Sequence, residues 1–409
     1  MLKKSFWFSF VYCIYLVLGI INPGFSLGGL PLKHYLTFVI LYFCYQYRIP
    51  SKTDWFVVLY VIYLFFYLLA GVVTGFGDDS FMKILGTFLV SLALYWATII
   101  MIKRFNKLNV ISIVLLIVFI ADAVVATGQY FQIPLFMTLP DVLGVDVREE
   151  FVERFFNRID MEGFQMIGIV GPVLNGYILS AATILAWYPF RHKFSFVFNL
   201  IIWALCMLAS FLSQERSGFY LAILFSLYII FLNFRIKKGF GRVCIFISII
   251  FGCYFGVEFM DYIFTSGRYS MGFEAQDRWT FIYNGLFFIA NHPLGGIQLY
   301  TQYYHWMPHN LFINMFIAGG WLGGIVILAI LFIQIYKCGI FLFSRDKKKN
   351  WLPFIFVLIY LNLTCQSIVH NNSIVYGSAL FFVSWGVVTC YVEKSSVSDI
   401  VYRIKHKLS

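Results

Sequence analysis

The feature that most constrains this chain is a succession of apolar runs, each near the roughly 20 residues a helix needs to cross a bilayer. They fall at about 5–21, 34–47, 55–74, 82–102, 108–127, 164–188, 194–213, 218–234, 243–263, 310–336, 351–369 and 374–392. Within hydrocarbon a backbone must satisfy its own hydrogen bonds, so runs of this length form helices. The reading is an all-α fold: a polytopic membrane helix bundle of about 12 transmembrane helices, forming a single integral membrane domain over residues 1–409. Only 12% of residues are charged, against about 25% in soluble domains. The opening "MLKKSFWFSFVYCIYLVLGIINPG" has the lysines of a signal peptide, but its apolar stretch is long and no A-x-A-like cleavage site follows. It reads as a retained first span.

A net charge of +11 raises the question of nucleic acid, and the placement of the charges answers it. Alternating the spans puts "RIPSKTD", "KRFNK", "RHK", "RIKKGFGR", "KCGIFLFSRDKKKN" and both termini on one side. That side collects most of the 30 Lys and Arg, but only Asp54, Asp346, Glu393 and Asp399 of the 19 acids. By the positive-inside rule it is cytoplasmic, so the basic excess expresses topology and no nucleic-acid partner is expected. The tail 393–409 places Ile400, Val401, Ile404 and Leu408 at helical spacing beside Arg403, Lys405 and Lys407, an amphipathic segment suited to anionic lipid. The eight cysteines lie in or beside apolar runs without CxxC spacing and read as filler. The 48 phenylalanines, spread through the spans, read the same way.

No cytoplasmic loop is long enough for a nucleotide-binding domain, and no GxxxxGK[ST] or GxGxxG segment occurs. The two substantial hydrophilic stretches, about 128–163 and 264–309, both fall on the outer face. An enzyme working there has no access to cytosolic nucleotide sugars, so its substrate arrives already activated. A lipid-linked pyrophosphate is the natural donor, and arginine forks match its oxygens.

Arg216, beside Glu215 in "SFLSQERSGFYL", sits in a brief polar interruption between two apolar runs, which is an unusual depth for charge. Arg268 and Arg278 lie in the 264–309 loop. From Arg278 onward, Trp279, Ile282, Tyr283, Leu286 and Ile289 recur at helical spacing, which predicts a surface-dipping helix with Arg278 near its start. His309, followed by Asn310 at the mouth of a span, is a candidate general base. Each has a plainer alternative: a snorkelling or paired arginine, a surface charge, a structural histidine. The acids and arginines of "REEFVERFFNR" read as an amphipathic helix along the membrane. For metal chemistry, His305 and His309 are separated by Pro308 and no HExxH occurs, so no metal is assigned. A rival glycosyltransferase reading would give a divalent ion to Asp78 and Asp79, which otherwise are solvated loop acids.

The order "SQERSGFYLAILF", "DRWTFIYNGLFFIANHPLGGI", "PHNLFINMFIAGGWLGG" resembles the O-antigen ligase and polymerase superfamily of bacterial membrane glycosyltransferases, over roughly residues 205–335. The resemblance implies a metal-independent, cofactor-free enzyme at the periplasmic face of the inner membrane. In it Arg216 and Arg278 hold an undecaprenyl-pyrophosphate-linked oligosaccharide and His309 assists the acceptor hydroxyl. Asn310, Gly319, Gly320, Gly323 and Gly324 fit the family's "HN…GG" pattern, and the glycines read as close helix packing. Arg268 and Glu215 join Asn310 as candidate substrate-binding residues. Polymerases and ligases share these motifs. The aromatic-rich, twelve-span character and "MPHN" favour an O-antigen polymerase, with a ligase to lipid A-core as the alternative. Membrane lipid and a chain-length regulator are the other expected partners. A lipid-linked oligosaccharide transporter is a third reading, opposed by the crowding of polar residues on one face, since only Asp122 and Glu258 lie well inside apolar runs.

Overall fold

In the computed structural model the described residues are 2–22, 26–27, 30–47, 55–76, 81–144, 166–188, 196–213, 215–233, 275–305, 307–308, 310–343, 350–370 and 378–392. Apart from two paired two-residue strands, β1 (Ser26–Leu27) and β2 (Leu30–Pro31), their regular elements are helices. These are α1 (Leu2–Ile21), α2 (Leu32–Gln46), α3 (Trp55–Thr74), α4 (Phe81–Lys103), α5 (Leu108–Tyr130), α6 (Pro134–Val142), α7 (Pro172–Leu185), α8 (Phe196–Leu212), α9 (Arg216–Asn233), α10 (Ala275–Asn291), α11 (Ile297–Tyr304), α12 (Leu311–Phe343), α13 (Trp351–His370) and α14 (Ala379–Val392). Among the described residues five helices, α3, α4, α5, α12 and α13, are long and apolar enough to cross a membrane, and shorter apolar helices accompany them. The 243–263 run, the "REEFVERFFNR" segment, Glu258 and the tail 393–409 lie outside the described residues.

The chain divides into two compact units, residues 1–115 with 275–409, and residues 116–274. In the first, α12 packs along α3, α4 lies against α14 and α2, and α13 flanks both α12 and α14. Small residues permit the closest of these approaches. A Cβ on Gly319 would lie 2.9 Å from the Tyr63 ring and one on Gly323 3.2 Å from Phe66, so α3 and α12 meet across the expected glycines. The aromatic residues are more than filler. Trp385 of α14 packs its ring against Tyr60, Tyr95, Phe381 and Phe382 at 5.1 to 6.2 Å. Buried tyrosines also find polar partners: Tyr12 pairs with Thr98 and Tyr15 with Thr37, each at 2.7 Å, and Tyr95 donates to Thr389 at 3.1 Å. A buried phenol left unpaired would cost about 1–3 kcal/mol, so these pairs fix which helix faces meet.

This unit has two distinct ends. At one, the Phe8 ring meets Phe43, Tyr47 and Phe105, joining the start of α1 to the ends of α2 and α4. Arg104 lies over the Tyr47 ring, Lys107 donates to Ser9 at 2.9 Å, and the Lys337 ammonium sits 4.5 Å from the Phe56 ring centroid. At the other end of α3, Thr74 abuts Gly296. Arg104, Lys107 and Lys337, three of the basic residues assigned by charge to one face, thus share an end, away from Gly296.

The second unit packs α7 between α8 and α9. Here the structure departs from the continuous span expected over 164–188. Met166–Gly171 is buried but not helical, and α7 begins only at Pro172. The physical reason lies in "GIVGPV": Gly168 and Gly171 take positive φ (58° and 94°), and Pro172 starts a helix readily. Buried non-helical backbone needs partners. The Gln129 side chain accepts from the Ile167 and Gly168 amides at 3.2 and 2.9 Å and donates to the Gly168 carbonyl at 3.1 Å. Asp122 Oδ1 accepts from the Ile169 amide at 2.8 Å, and the Met166 amide donates to Leu212 at 3.1 Å.

Candidate active site

The expected large outer loop carries its own structure. α10 and α11 lie inside 264–309 and share a small core with the start of α12, built on Phe288, Ile289, Tyr300, Ile313 and Ile317. Arg278 falls in the first turn of α10, as the periodicity predicted. The apolar stripe read from sequence divides between two faces. Trp279, Tyr283 and Leu286 are exposed, whereas Ile289 is buried and Ile282 packs on the core.

The motif "HPLGG" locks α10 and α11 onto α12. Gly320 interrupts α12 with φ 64°, and the 293–296 turn fills that break. The Gly296 amide donates to the Ile317 carbonyl at 2.7 Å, the Trp321 amide to Pro293 at 2.9 Å, and Trp321 Nε1 to Ile289 at 3.0 Å. A Cβ on Gly320 would stand 2.5 Å from the Pro293 carbonyl oxygen, and one on Gly295 2.6 Å from the Gly320 nitrogen. Gly320 is therefore a seat for another segment's backbone, a role distinct from the helix packing of Gly319 and Gly323. Gly324 faces the Phe316 ring of its own helix across this kink.

The mouth of α12 is equally fixed. Asn310 Oδ1 accepts from the Ile313 amide at 3.2 Å, capping the helix. Asn314, fully buried, donates its amide to the Pro308 carbonyl. The backbone on both sides of His309 is thereby held, while His309 itself lies outside the described residues. Asn314 Oδ1 and the Tyr300 hydroxyl are buried and have no hydrogen-bond partner among the described residues. Burial pushes the Tyr300 phenol up to about 12, with Tyr304 adding to the shift, so it is a neutral donor at physiological pH. Neither residue was singled out by sequence. The signal for Asn314 was a lone amide one turn past Asn310 in an apolar run.

Gly285 relates the two motifs. A Cβ there would contact Ile313 at 2.4 Å and Pro308 at 3.2 Å. Farther along the same helices, the 293–296 turn meets Ile317–Trp321, so α10 and α12 run in the same direction. Arg278 precedes Gly285 by about two helical turns, roughly 10 Å, and so its backbone lies toward the Pro308 end of the unit. Its side chain, Arg268, Asp78 and Asp79 lie outside the described residues. Among the described residues no three His, Cys, Asp or Glu side chains gather to hold a metal ion.

In the second unit Arg216 begins α9, at the polar interruption read from sequence, and its side chain is outside the described residues. Glu215 before it is 5% exposed, and its side chain fills the space a Cβ on Gly176 of α7 would need, at 2.3 Å. Comparison of the chain with family models, with curated proteins and with solved structures finds no match.

Proposed function

We propose that this chain is an O-antigen polymerase, joining undecaprenyl-pyrophosphate-linked repeat units at the periplasmic face of the bacterial inner membrane, with both termini in the cytoplasm. In this reading Arg216 and Arg278, with Arg268, bind the donor pyrophosphate and stabilise the charge that develops as it departs. His309 takes the proton of the acceptor hydroxyl as that oxygen bonds to the anomeric carbon and the bond to pyrophosphate breaks. Asn310 and Glu215 are further substrate-binding residues in this reading. No cofactor or metal is assigned, and a chain-length regulator would act as partner.

The observation that supports this reading is the polarity of the first unit. The "HPLGG" turn, the capped mouth of α12 and the start of α10 fall toward one end, and Arg104, Lys107 and Lys337 fall at the other. A fixed loop opposite a basic end suits chemistry confined to one membrane face on a substrate delivered there.

The test is expression of His309→Ala or Arg278→Ala in cells lacking the native protein, with surface polysaccharide resolved by size. Loss of the ladder, with a single repeat still joined to the core and normal protein abundance, is the expected result. Removing one such charge-stabilising group typically costs about 10²–10³ in rate. Loss of all attached glycan would assign ligation instead, and an unchanged ladder would remove the residue from the mechanism.

A further inference from the structure

The buried break ahead of α7 holds two hydrogen-bond acceptors facing a shared space. Asp122 and Asn175 are both 0% exposed. One carboxylate oxygen of Asp122 is occupied by the Ile169 amide, and the other, Oδ2, has no partner among the described residues. The Asn175 amide has a settled orientation, because its Nδ2 donates to the Met166 carbonyl at 2.8 Å. Its Oδ1 is therefore the atom turned away from that bond, and it too has no partner among the described residues. The groups crowd the same small volume: a Cβ on Gly168 would lie 2.1 Å from Asp122 Oδ1 and 2.7 Å from Asn175 Oδ1.

An ionised carboxylate in apolar surroundings costs several kcal/mol unless a cation or donors meet it, and each unpaired buried acceptor costs about 1–3 kcal/mol more. Among the described residues no basic side chain pairs with Asp122. The groups facing it from packed elements are the Cys206 thiol of α8 and, on its own helix, Gln129, which is already committed to the break. Glu215, ahead of α9, meets α7 at Gly176, one position past Asn175, and Tyr177 follows on α7. A metal ion would need several oxygens, yet the Met166 and Gly168 carbonyls are already accepting bonds. One proton requires only one acceptor.

We propose that Asp122 is a proton-binding site, the neutral acid bordering the space that Asn175 Oδ1 also lines, so that a proton removes an uncompensated buried charge and holds the Met166–Gly171 break closed. The proton comes from and returns to water, and no other bond changes. Its release leaves a bare carboxylate beside an amide oxygen and loosens the entry to α7.

The test uses the full chain in lipid nanodiscs, with infrared spectra recorded as a function of pH. The carboxylic-acid C=O band is expected in the wild type, to fade as pH rises, and to be absent from Asp122→Asn. Asn175→Leu should move its frequency by removing the acceptor. Thermal melts provide a second readout. Asp122→Asn supplies a permanent donor, so its melting should depend less on pH than that of the wild type, which loses stability as pH rises. Cys206, Glu215 and Tyr177 are common to both proteins and cancel in the difference. Identical carboxylic-acid spectra for wild type and Asp122→Asn, or parallel melting profiles, would overturn the proposal. So would a band that sodium chloride abolishes and potassium chloride does not, which would assign a metal cation.

Discussion

Among the described residues the apolar stretches are interrupted at Gly320 and ahead of α7, and the two interruptions are held by different means. At Gly320 the break is stitched backbone to backbone, with Gly296 and Trp321 amides bonding to Ile317 and Pro293 carbonyls. Ahead of α7 it is held by side chains, with Gln129 and Asp122 reaching in from α5. Backbone groups do not titrate and cannot be exchanged for others, so the first break has one arrangement. Side chains can be protonated or rotated, so the second can have two. The first is therefore suited to present a fixed loop, the second to respond.

The largest effect is expected at the stitched break. Gly320→Val puts a branched side chain at φ 64° and against the Pro293 carbonyl. Strain there costs about 1–3 kcal/mol and overpacking a similar amount. The protein should fail to assemble or melt far below wild type in detergent, and an unchanged melting temperature would mean that the turn does not depend on this seat. Next comes Gln129→Leu, which leaves the Ile167 and Gly168 amides buried without their acceptor. A loss of about 2–4 kcal/mol is expected, and Gln129→Glu, which keeps the acceptor, should recover part of it.

A smaller effect, about 1 kcal/mol, is expected for Trp321→Phe, which removes the bond to Ile289 and trims the ring that meets Phe316. Asn314→Leu separates stability from activity. It removes the pin on Pro308 together with an unpartnered oxygen, so melting should change little while the polysaccharide ladder shortens. Equal effects on both would make Asn314 merely structural. Amide exchange gives the most direct contrast. After correction for intrinsic rates, protection of Gly296 and Trp321 should be the same in mildly acidic and mildly alkaline buffer, whereas that of Ile167 to Ile169 should fall at the higher pH.

The helices were largely legible because burial in hydrocarbon and helix length leave so plain a mark. Trp55–Thr74 has the bounds read from its apolar run, and Arg216 and Arg278 stand at helix starts, where polar punctuation put them. The breaks were less legible. "GIVGPV" is as apolar as a helix, and hydropathy cannot distinguish a coil buried by polar neighbours from a turn of helix. The signal was the pairing of two glycines with proline, answered by Gln129 and Asp122 some forty residues earlier. Likewise Gly319, Gly320 and Gly323 look alike in sequence. Only the partner distinguishes a glycine that admits a tyrosine ring from one that admits a turn of another segment's backbone.

The kink also sets a depth. As a straight rod the 33 residues of α12 would extend about 50 Å, well beyond the roughly 30 Å of a hydrocarbon core. The piece after Gly320 would be about 34 Å long and can cross the core unaided, leaving Lys337 to reach water near its far end. The piece before Gly320, about 13 Å, is too short to cross the core by itself. Gly320 thus divides α12 into a piece long enough to cross such a core and a short piece that packs with α10 and α11.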